Sequence, residues 1–314
     1  MAFIGKDIEE AIRQLKLGEV IGLPTETVYG LAGNAYNSAA ITKIFEVKNR
    51  PTFDPLIVHT SSFERVLEFV SEVPPKAKLL AEHFMPGPLT LLLPKKCIIS
   101  DLVTSGLETV AVRIPNHPLA NELLQQLDFP LAAPSANPFG YISPTSAQHV
   151  DNQLGDKINY ILDGGECQVG IESSIIGFFE DEIVVYRKGG LSIEAIEGIV
   201  GKVRMEEHSS SNPKAPGMLQ SHYAPRTKLL IEDPKMPTDH LNIGFLGFKD
   251  FHPEISKENQ LLLSPNGDLQ EAAKNLFAFM RILDTRNFDK IYTEFLPEIG
   301  LGRAINDRIK RATS

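Results

Sequence analysis

Residues 1–204 alternate between short apolar segments and helical stretches, and this alternation constrains the fold more than any other feature of the chain. Segments such as 55–60 (PLIVHT) and 109–113 (TVAVR) are typical of buried strands because they are short and apolar. Strands and helices joined by short connections predict a mixed α/β domain.

Polar residues mark the expected starts of several helices. Asp7 is typical of an N-cap, and either Asn37 or Ser38 caps a second helix. Ser143 followed by Pro144 has the pattern of an N-cap and a first-turn proline, which predicts a helix that runs through residue 150.

The pattern breaks at residues 205–227, where Ser, Pro, Gly and Asn dominate and no hydrophobic period survives. Such composition indicates a linker or long loop. Strands and periodic helices return after it, which predicts a second, smaller α/β unit. The expected parts are a first domain at 1–204, a linker at 205–227 and a second domain at 228–314.

The net charge of −9 means that the surface as a whole should repel nucleic acid. Contact with RNA would need a local basic patch, such as RAINDRIKRA at 303–312.

Cys97 and Cys167 are far apart in sequence, so we expect two buried, reduced thiols rather than a disulfide or a zinc site. The N-terminus shows no signal-peptide pattern and no apolar stretch could span a bilayer, so we expect a soluble, cytoplasmic protein.

Residues 24–60 concentrate polar groups that an apolar core does not need. Lys48 and Arg50 end a helix that Pro51 stops, so they are either ordinary C-terminal cations or a rigid phosphate clamp. Thr25 and Thr27 either satisfy local backbone groups or offer hydroxyls to a ligand. The residues alone leave both pairs of alternatives open.

Three further features carry the same ambiguity. His59 ends a predicted strand, where it is either a structural histidine or a group at the ligand-binding edge of the sheet. Arg113 follows another strand and pairs with an acidic side chain or with a ligand carboxylate. The turn at 134–138 (PSANP) is an ordinary turn or a rigid loop aimed at phosphate oxygens.

The sequence contains no G-x-x-x-x-G-K-[ST] loop, no complete G-x-G-x-x-G motif and no H-E-x-x-H motif. Spacing and composition therefore predict an α/β protein that binds an anionic, hydroxyl-bearing ligand, and they predict nothing more specific.

The motifs PTETVYGL, KNRP, PLIVH, PGPLTLLL, VAVRIP and PSAN, in this order, closely resemble the YrdC-like threonylcarbamoyl-AMP synthases. PGMLQSHYAP in the linker and GLGRAINDRIKRA near the end resemble the long, two-domain form of that family. The resemblance implies a YrdC-like twisted mixed sheet with helices, followed by a smaller Rossmann-like α/β domain.

The same resemblance implies a reaction of L-threonine, bicarbonate (or carbon dioxide) and ATP that gives L-threonylcarbamoyladenylate and pyrophosphate. Magnesium is the implied cofactor, bound with ATP, and no residue is expected to ligate a metal. The implied partners are proteins of tRNA modification that receive the adenylate, with a possible weak contact to tRNA and none to a membrane.

The family pattern implies a role for each matching position. Lys48 and Arg50 are the expected catalytic residues and also contact the phosphates. The other expected ATP contacts are Asp54, Thr109, Ala133, Ser135, Asn137, Ser143, Arg187 and Tyr223, and the expected threonine contacts are Thr27, His59, Arg113 and Ser173. Ser174 is a second choice for Ser173, Asp54 replaces a frequent asparagine, and Tyr223 lies in HYAP, which is expected to fold over the site as a lid.

Two other functions compete with this hypothesis. A non-catalytic protein that binds tRNA or double-stranded RNA would need a basic surface, against which the net charge counts. Carbamoyl transfer, as in hydrogenase-maturation proteins with YrdC-like domains, would be accompanied by clustered cysteines, and this sequence has none.

Overall fold

A computed structural model describes residues 1–179, 182–206, 213–218, 222–232 and 242–314. Its strands form an 11-stranded mixed sheet and a separate 4-stranded sheet. The strands of the large sheet are β1 (Phe3–Gly5), β2 (Ile21–Leu23), β3 (Gly30–Asn34), β4 (Ile57–His59), β5 (Leu89–Pro94), β6 (Thr109–Arg113), β7 (Leu131–Ala132), β8 (Tyr160–Leu162), β9 (Ser174–Phe179), β10 (Glu182–Arg187) and β11 (Arg204–Met205).

Helices cover the large sheet, as the predicted α/β class requires. They are α1 (Ile8–Lys16), α2 (Ser38–Lys48), α3 (Phe63–Val66), α4 (Pro75–Phe84), α5 (Asp101–Thr104), α6 (Pro118–Gln126), α7 (Ala147–Leu154) and α8 (Ile193–Val200). The strand order is β1-β8-β2-β3-β7-β4-β6-β5-β9-β10-β11. The expected YrdC-like mixed sheet is confirmed.

The parallel pair β4–β6 sets the geometry of the site. Its register places His59 directly opposite Arg113, so the last residues of two neighbouring strands meet at one sheet edge. The strand β7 pairs antiparallel with β4 on the other side and leads into the turn at 134–138. The sheet therefore brings together three of the segments that the sequence singled out.

Local capping confirms two predicted helix starts and corrects a third. Asp7 accepts hydrogen bonds at the start of α1, and Asn37 accepts them from the N–H groups of Ala39 and Ala40 at the start of α2. The helix predicted at Ser143 is wrong at its start, since α7 begins at Ala147 with Ser146 as its cap.

The small sheet is parallel throughout, with the order β12-β15-β13-β14, which agrees with the expected Rossmann-like domain. Its elements are β12 (Leu229–Ile231), β13 (Ile243–Gly247), a 3-10 turn (Lys257–Asn259), β14 (Gln260–Leu262), α9 (Leu269–Asp284), β15 (Lys290–Thr293) and α10 (Gly302–Ala312). The sequence predicts a strand at 241–245, and the structure has β13 there from Ile243, with residue 241 outside the described residues.

One apolar cluster joins the two domains. Val28, Ile142 and Ile171 of the first domain pack in the same buried cluster as Phe277 of α9 and Ile305 of α10. Because burial of apolar surface is the main stabilising contribution in folding, this shared core ties the second domain to the loops of the first.

Gly170 of the first domain lies close against α9 of the second. Its φ is +78°, and an added Cβ would lie 2.5 Å from the carbonyl oxygen of Lys274 and 2.6 Å from that of Ala273 in α9. Gly170→Ala is therefore expected to destabilise the fold by about 1–2 kcal/mol for backbone strain and about 1–3 kcal/mol for overpacking.

The matched control is Gly140→Ala, since Gly140 has a φ of +82° and its Cβ would have no neighbour within 4 Å. Denaturant unfolding of both variants measures the difference. If Gly170→Ala and Gly140→Ala lose the same free energy of unfolding, the close contact between Gly170 and α9 is contradicted.

The structure changes one expectation about the cysteines. Cys167 is buried as expected, but Cys97 is exposed, because it lies in the turn after β5 rather than in a strand. Within the described ranges, no helix is both long and apolar enough to cross a membrane.

Candidate active site

A cavity opens at the edge where β4 and β6 end. Strand ends, turns and the linker all contribute to its wall. The lining residues are Thr25, Val28, Gly30, Arg50, Pro55, Ile57, His59, Arg113, Ala133, Pro134, Ser135, Glu172, Arg187, Pro216, Gly217, His222 and Tyr223. Seven of the residues predicted for the site are in this wall: Arg50, His59, Arg113, Ala133, Ser135, Arg187 and Tyr223.

Arg113 is 4 % exposed and contacts a buried carboxylate. Its Nη2 lies 2.8 Å from Glu26 Oε1, and its Nε donates to the carbonyl oxygen of Gly87 at 3.4 Å. The Glu26 contact is an ion pair without a well-directed hydrogen bond, which leaves N–H groups of Arg113 able to bind a ligand carboxylate.

His59 lies beside Arg113 and is held as a neutral imidazole. Its Nδ1 is 3.2 Å from the carbonyl oxygen of Ile57. Burial, and then the positive charge of Arg113, lower the pKa of His59 to about 3. A neutral ring next to a fixed cation suits a substrate that carries both a carboxylate and an amine.

The depressed pKa of His59 makes stability depend on pH. The unfolded chain binds a proton at this residue below its ordinary pKa of 6.5, whereas the folded chain does so only near pH 3. Stability is therefore fully present above pH 6.5 and is lost as pH falls towards 3, by at most about 1.4 kcal/mol per pH unit from this residue.

The variant His59→Gln should flatten that loss between pH 6 and pH 4, as measured by urea unfolding at each pH. Other histidines with a lowered pKa, such as His149, contribute to the wild-type slope, so the difference between the two proteins is the relevant quantity. Identical slopes would contradict a buried, neutral His59.

Lys48 holds the turn that carries Ser135 and Asn137. Its Nζ donates to the carbonyl oxygens of Ser135 at 2.6 Å and Asn137 at 2.5 Å, and its side chain is 1 % exposed. Burial, and then the charge of Arg50, lower the pKa of Lys48 well below its usual value. The alternative of an ordinary, solvated helix-terminal cation is therefore excluded for Lys48.

Arg50 connects the end of α2 to the linker. Its Nη2 lies 2.9 Å from Asp54 Oδ2, and Asp54 Oδ1 accepts a hydrogen bond from the Gly217 N–H at 3.3 Å. Both partners of this ion pair are buried. Asp54 thus has a linker contact in this structure, and its contact with ATP stays a prediction.

The remaining predicted residues lie behind or away from the cavity wall. Thr27 Oγ1 is 2.9 Å from Thr25 Oγ1, and Asn137 donates to the carbonyl oxygens of Pro138 and Tyr141. Thr109 is the first residue of β6, about 13 Å along the strand from Arg113, and it is absent from the described wall.

Ser173 and Ser143 each form a hydrogen bond with a charged residue of the cavity wall. Arg187 donates from Nε to the Ser173 carbonyl oxygen at 3.0 Å and from Nη2 to the Ser173 hydroxyl at 3.1 Å. Ser143 donates its hydroxyl to Glu172 Oε1 at 2.6 Å. Burial lowers the pKa of Arg187 to about 10, although the nearby Glu172 carboxylate acts in the opposite direction.

Sequence reasoning missed Glu172, His222, Arg308 and Arg311. Arg308 and Arg311 are 0 % and 2 % exposed, so they do not form the basic surface patch that RAINDRIKRA indicated. Their guanidinium carbons lie 5.3 Å and 4.8 Å from the centroid of the Tyr223 ring. The sequence contains one indication of their burial: Ile305, Arg308 and Arg311 are three residues apart, so both arginines lie on the same helix face as an apolar residue.

Two family models divide the chain between them. One, described as telomere recombination, matches residues 13–189, and the other, described as the C-terminal domain of threonylcarbamoyl-AMP synthase, matches residues 191–314. The threonylcarbamoyl-AMP synthase of Pyrococcus abyssi is 38% identical over 95% of this chain and 92% of its own length. The chain belongs to the threonylcarbamoyl-AMP synthase family. The Bacillus subtilis member is also 38% identical, over 97% of this chain and 92% of its own length.

Solved structures agree with this family assignment. The structure of Pyrococcus abyssi Sua5 complexed with L-threonine has a TM-score of 0.92 and 37% identity, and the match covers 99% of this chain and 98% of that one. Escherichia coli YciO shares the fold over 60% of this chain and 96% of its own, with a TM-score of 0.55 and 21% identity. The first match extends through both domains of this family member.

Proposed function

We propose that this protein is an L-threonylcarbamoyladenylate synthase, a nucleotidyltransferase that joins L-threonine, bicarbonate or carbon dioxide, and ATP. The observation that supports it most is the cavity itself. Its wall contains His59 and Arg113, which suit an amino acid, together with Arg50 and Arg187, which suit phosphates.

The reaction proceeds in two bond-forming steps. Where bicarbonate is the source, it takes up a proton and loses water to give carbon dioxide. The neutral amine of threonine adds to carbon dioxide and gives one proton to solvent water, which leaves a carbamate. A carbamate oxygen then forms a bond to the α-phosphorus of ATP, and the bond from that phosphorus to the bridging oxygen breaks, so that pyrophosphate leaves. Positioning and charge neutralisation suffice for this chemistry, so no nucleophilic side chain is needed.

The assigned roles follow the positions of the side chains. Arg113 binds the threonine carboxylate, and His59 lies beside it as a neutral group. Arg50 neutralises phosphate charge, and Ser135 and Ala133 line the nucleotide side, on a turn that Lys48 fixes. Tyr223 and His222 of the linker close the cavity and exclude water from the labile adenylate.

Magnesium fits this protein as a part of the substrate rather than as a resident ion. No cluster of three or more His, Cys, Asp or Glu residues suited to a metal occurs in the described part of the chain. Three carboxylates near the cavity, Glu26, Asp54 and Glu172, are each paired with an arginine. We therefore propose that magnesium arrives bound to the triphosphate of ATP.

We further propose a cytoplasmic location and transfer of the adenylate to proteins of tRNA modification, because an activated carbamate has a short life in water and needs a nearby acceptor. The basic segment 303–312 supports RNA binding less than the sequence indicated, since Arg308 and Arg311 are buried and only Arg303 and Lys310 of its four cations reach the surface.

The chemical proposal is tested by product analysis. Purified protein is incubated with ATP, magnesium, L-threonine and ¹³C-labelled bicarbonate. Mass spectrometry should then detect a nucleotide product with the mass of AMP joined to threonine through one labelled carboxyl carbon. A product without the labelled carbon would replace the proposal by simple threonine adenylation, and no new nucleotide would contradict it.

A further inference from the structure

The second domain places an arginine against a carboxylate of the cavity wall. Arg308 of α10 is fully buried, and its Nε donates to Glu172 Oε2 at 3.0 Å. Glu172 belongs to the first domain and lines the cavity. This ion pair therefore crosses from one domain to the other at the active site.

Glu172 needs such a partner because of where it lies. A carboxylate in the wall of a cavity that binds a triphosphate would repel the ligand if it were uncompensated. Its other oxygen accepts the hydroxyl of Ser143, so the carboxylate is held in a fixed orientation. Burial would raise the pKa of Glu172, but the charges of Arg308 and Arg187 outweigh it and leave the pKa below its ordinary value.

Arg308 is itself fixed from several directions. Its Nη1 donates to the carbonyl oxygen of Lys188 at 2.8 Å and to Asp307 Oδ2 at 2.8 Å. Its guanidinium also lies over the ring of Tyr223, the linker residue in the cavity wall. The side chain is thus preorganised by the first domain, the linker and its own helix.

We propose that Arg308 is a positioning residue of the ATP site, whose positive charge neutralises Glu172 so that the cavity accepts a triphosphate. The second domain then completes the active site instead of being a separate module. The inference rests on the proposed function only in naming ATP as the ligand.

The test is ATP affinity of the full-length chain, measured by calorimetry with magnesium present, alongside the affinity for L-threonine. Arg308→Ala should raise the Kd for ATP about tenfold, since a buried carboxylate is left to repel the phosphates. The Kd for threonine should stay within about twofold, because Arg113 forms its ion pair with Glu26 and His59 lies against the Ile57 carbonyl oxygen.

A second change identifies the charge as the cause. The double variant Arg308→Ala/Glu172→Gln should recover most of the ATP affinity, since the amide has nearly the shape of the carboxylate without its charge. Glu172→Gln alone should not weaken ATP binding. If Arg308→Ala does not fold, Arg308→Gln removes the charge while keeping hydrogen-bond donors and serves the same comparison.

The matched control is Arg303→Ala. Arg303 lies on the same helix and pairs with Glu194 of the first domain at 3.1 Å, but the pair is partly exposed and remote from the cavity wall. It should leave both affinities unchanged. The inference is overturned if the Arg308 variants bind ATP with the wild-type Kd. It is also overturned if the double variant Arg308→Ala/Glu172→Gln binds ATP as weakly as Arg308→Ala.

Failure of the inference and failure of the proposed function are distinguishable. Wild-type protein that binds ATP but releases no pyrophosphate with threonine would refute the function, while the comparison of variants would still decide the role of Arg308. If the wild-type protein is active and the Arg308 variants have the wild-type Kd for ATP, only the inference is refuted.

Discussion

Arg50→Ala is expected to lower threonine-dependent release of pyrophosphate by about a hundredfold or more, the size of effect seen when a charge that stabilises a transition state is removed. Arg50 lines the cavity, and its Nη2 donates to the Pro55 carbonyl oxygen at 2.9 Å while lying against Asp54. The guanidinium is therefore preorganised before ATP binds, which is what makes it effective against developing negative charge.

The same substitution should also reduce stability. The alternative that Lys48 and Arg50 are ordinary helix-terminal cations is wrong, since both side chains are buried. Removing Arg50 leaves the Asp54 carboxylate buried without its partner, which costs about 3–5 kcal/mol. Steady-state kinetics must therefore be measured at a temperature where unfolding experiments show the variant to be folded.

Lys43→Ala is the control for Arg50→Ala. Lys43 lies on the same helix and pairs with Glu19, but it is partly exposed and outside the cavity wall. It should keep the wild-type rate and nearly the wild-type stability, because surface ion pairs contribute little. A folded Arg50→Ala variant with the rate of Lys43→Ala would remove Arg50 from the phosphate site.

Arg113→Ala is expected to raise the KM for L-threonine about a hundredfold while the KM for ATP changes by no more than about threefold. A bidentate arginine–carboxylate contact is among the strongest polar contacts in proteins, and here it would form in a buried site. Its neighbour His59 is neutral and cannot replace the lost charge.

Loss of Arg113 also leaves Glu26 buried and unpaired, so stability should fall together with affinity. The double variant Arg113→Ala/Glu26→Gln separates the two effects, because it should regain stability but not threonine affinity. Kinetics and urea unfolding of the single and double variants give both quantities. A threonine KM that is unaltered in a folded Arg113 variant would refute the carboxylate contact.

Local signals predicted the fold well where the cause of structure is local. Asn37 caps α2 in the structure because its side chain reaches the N–H groups of the first turn, an interaction readable from adjacent residues. The strand β3 (GLAGN) was not predicted, because its composition is that of a loop. It is a strand because it pairs with β2 and β7, which no local pattern reveals.

The helix start at Ser143 shows how nearly equivalent signals mislead. Ser143 and Ser146 both have cap-like sequences, and the structure uses Ser146 because the hydroxyl of Ser143 bonds to Glu172 instead. A contact between residues so far apart in sequence cannot be read from a window around either one.

The candidate site was predictable in its strand-end residues and not in its second-domain residues. His59 and Arg113 end neighbouring strands, and the register of β4 and β6 brings them together as a strand-end argument requires. Arg308 and Arg311 instead looked like surface charges, since burial by another domain depends on packing that the sequence does not display.

The central claim is that one cavity binds threonine and ATP and joins them through a carbamate. Its most direct test is pyrophosphate release from ATP, with magnesium and bicarbonate, in the presence of L-threonine, L-serine or no amino acid. We expect strong release with L-threonine, much weaker release with L-serine and only background without an amino acid. Release that is independent of the amino acid, or none from well-folded protein, would contradict the claim.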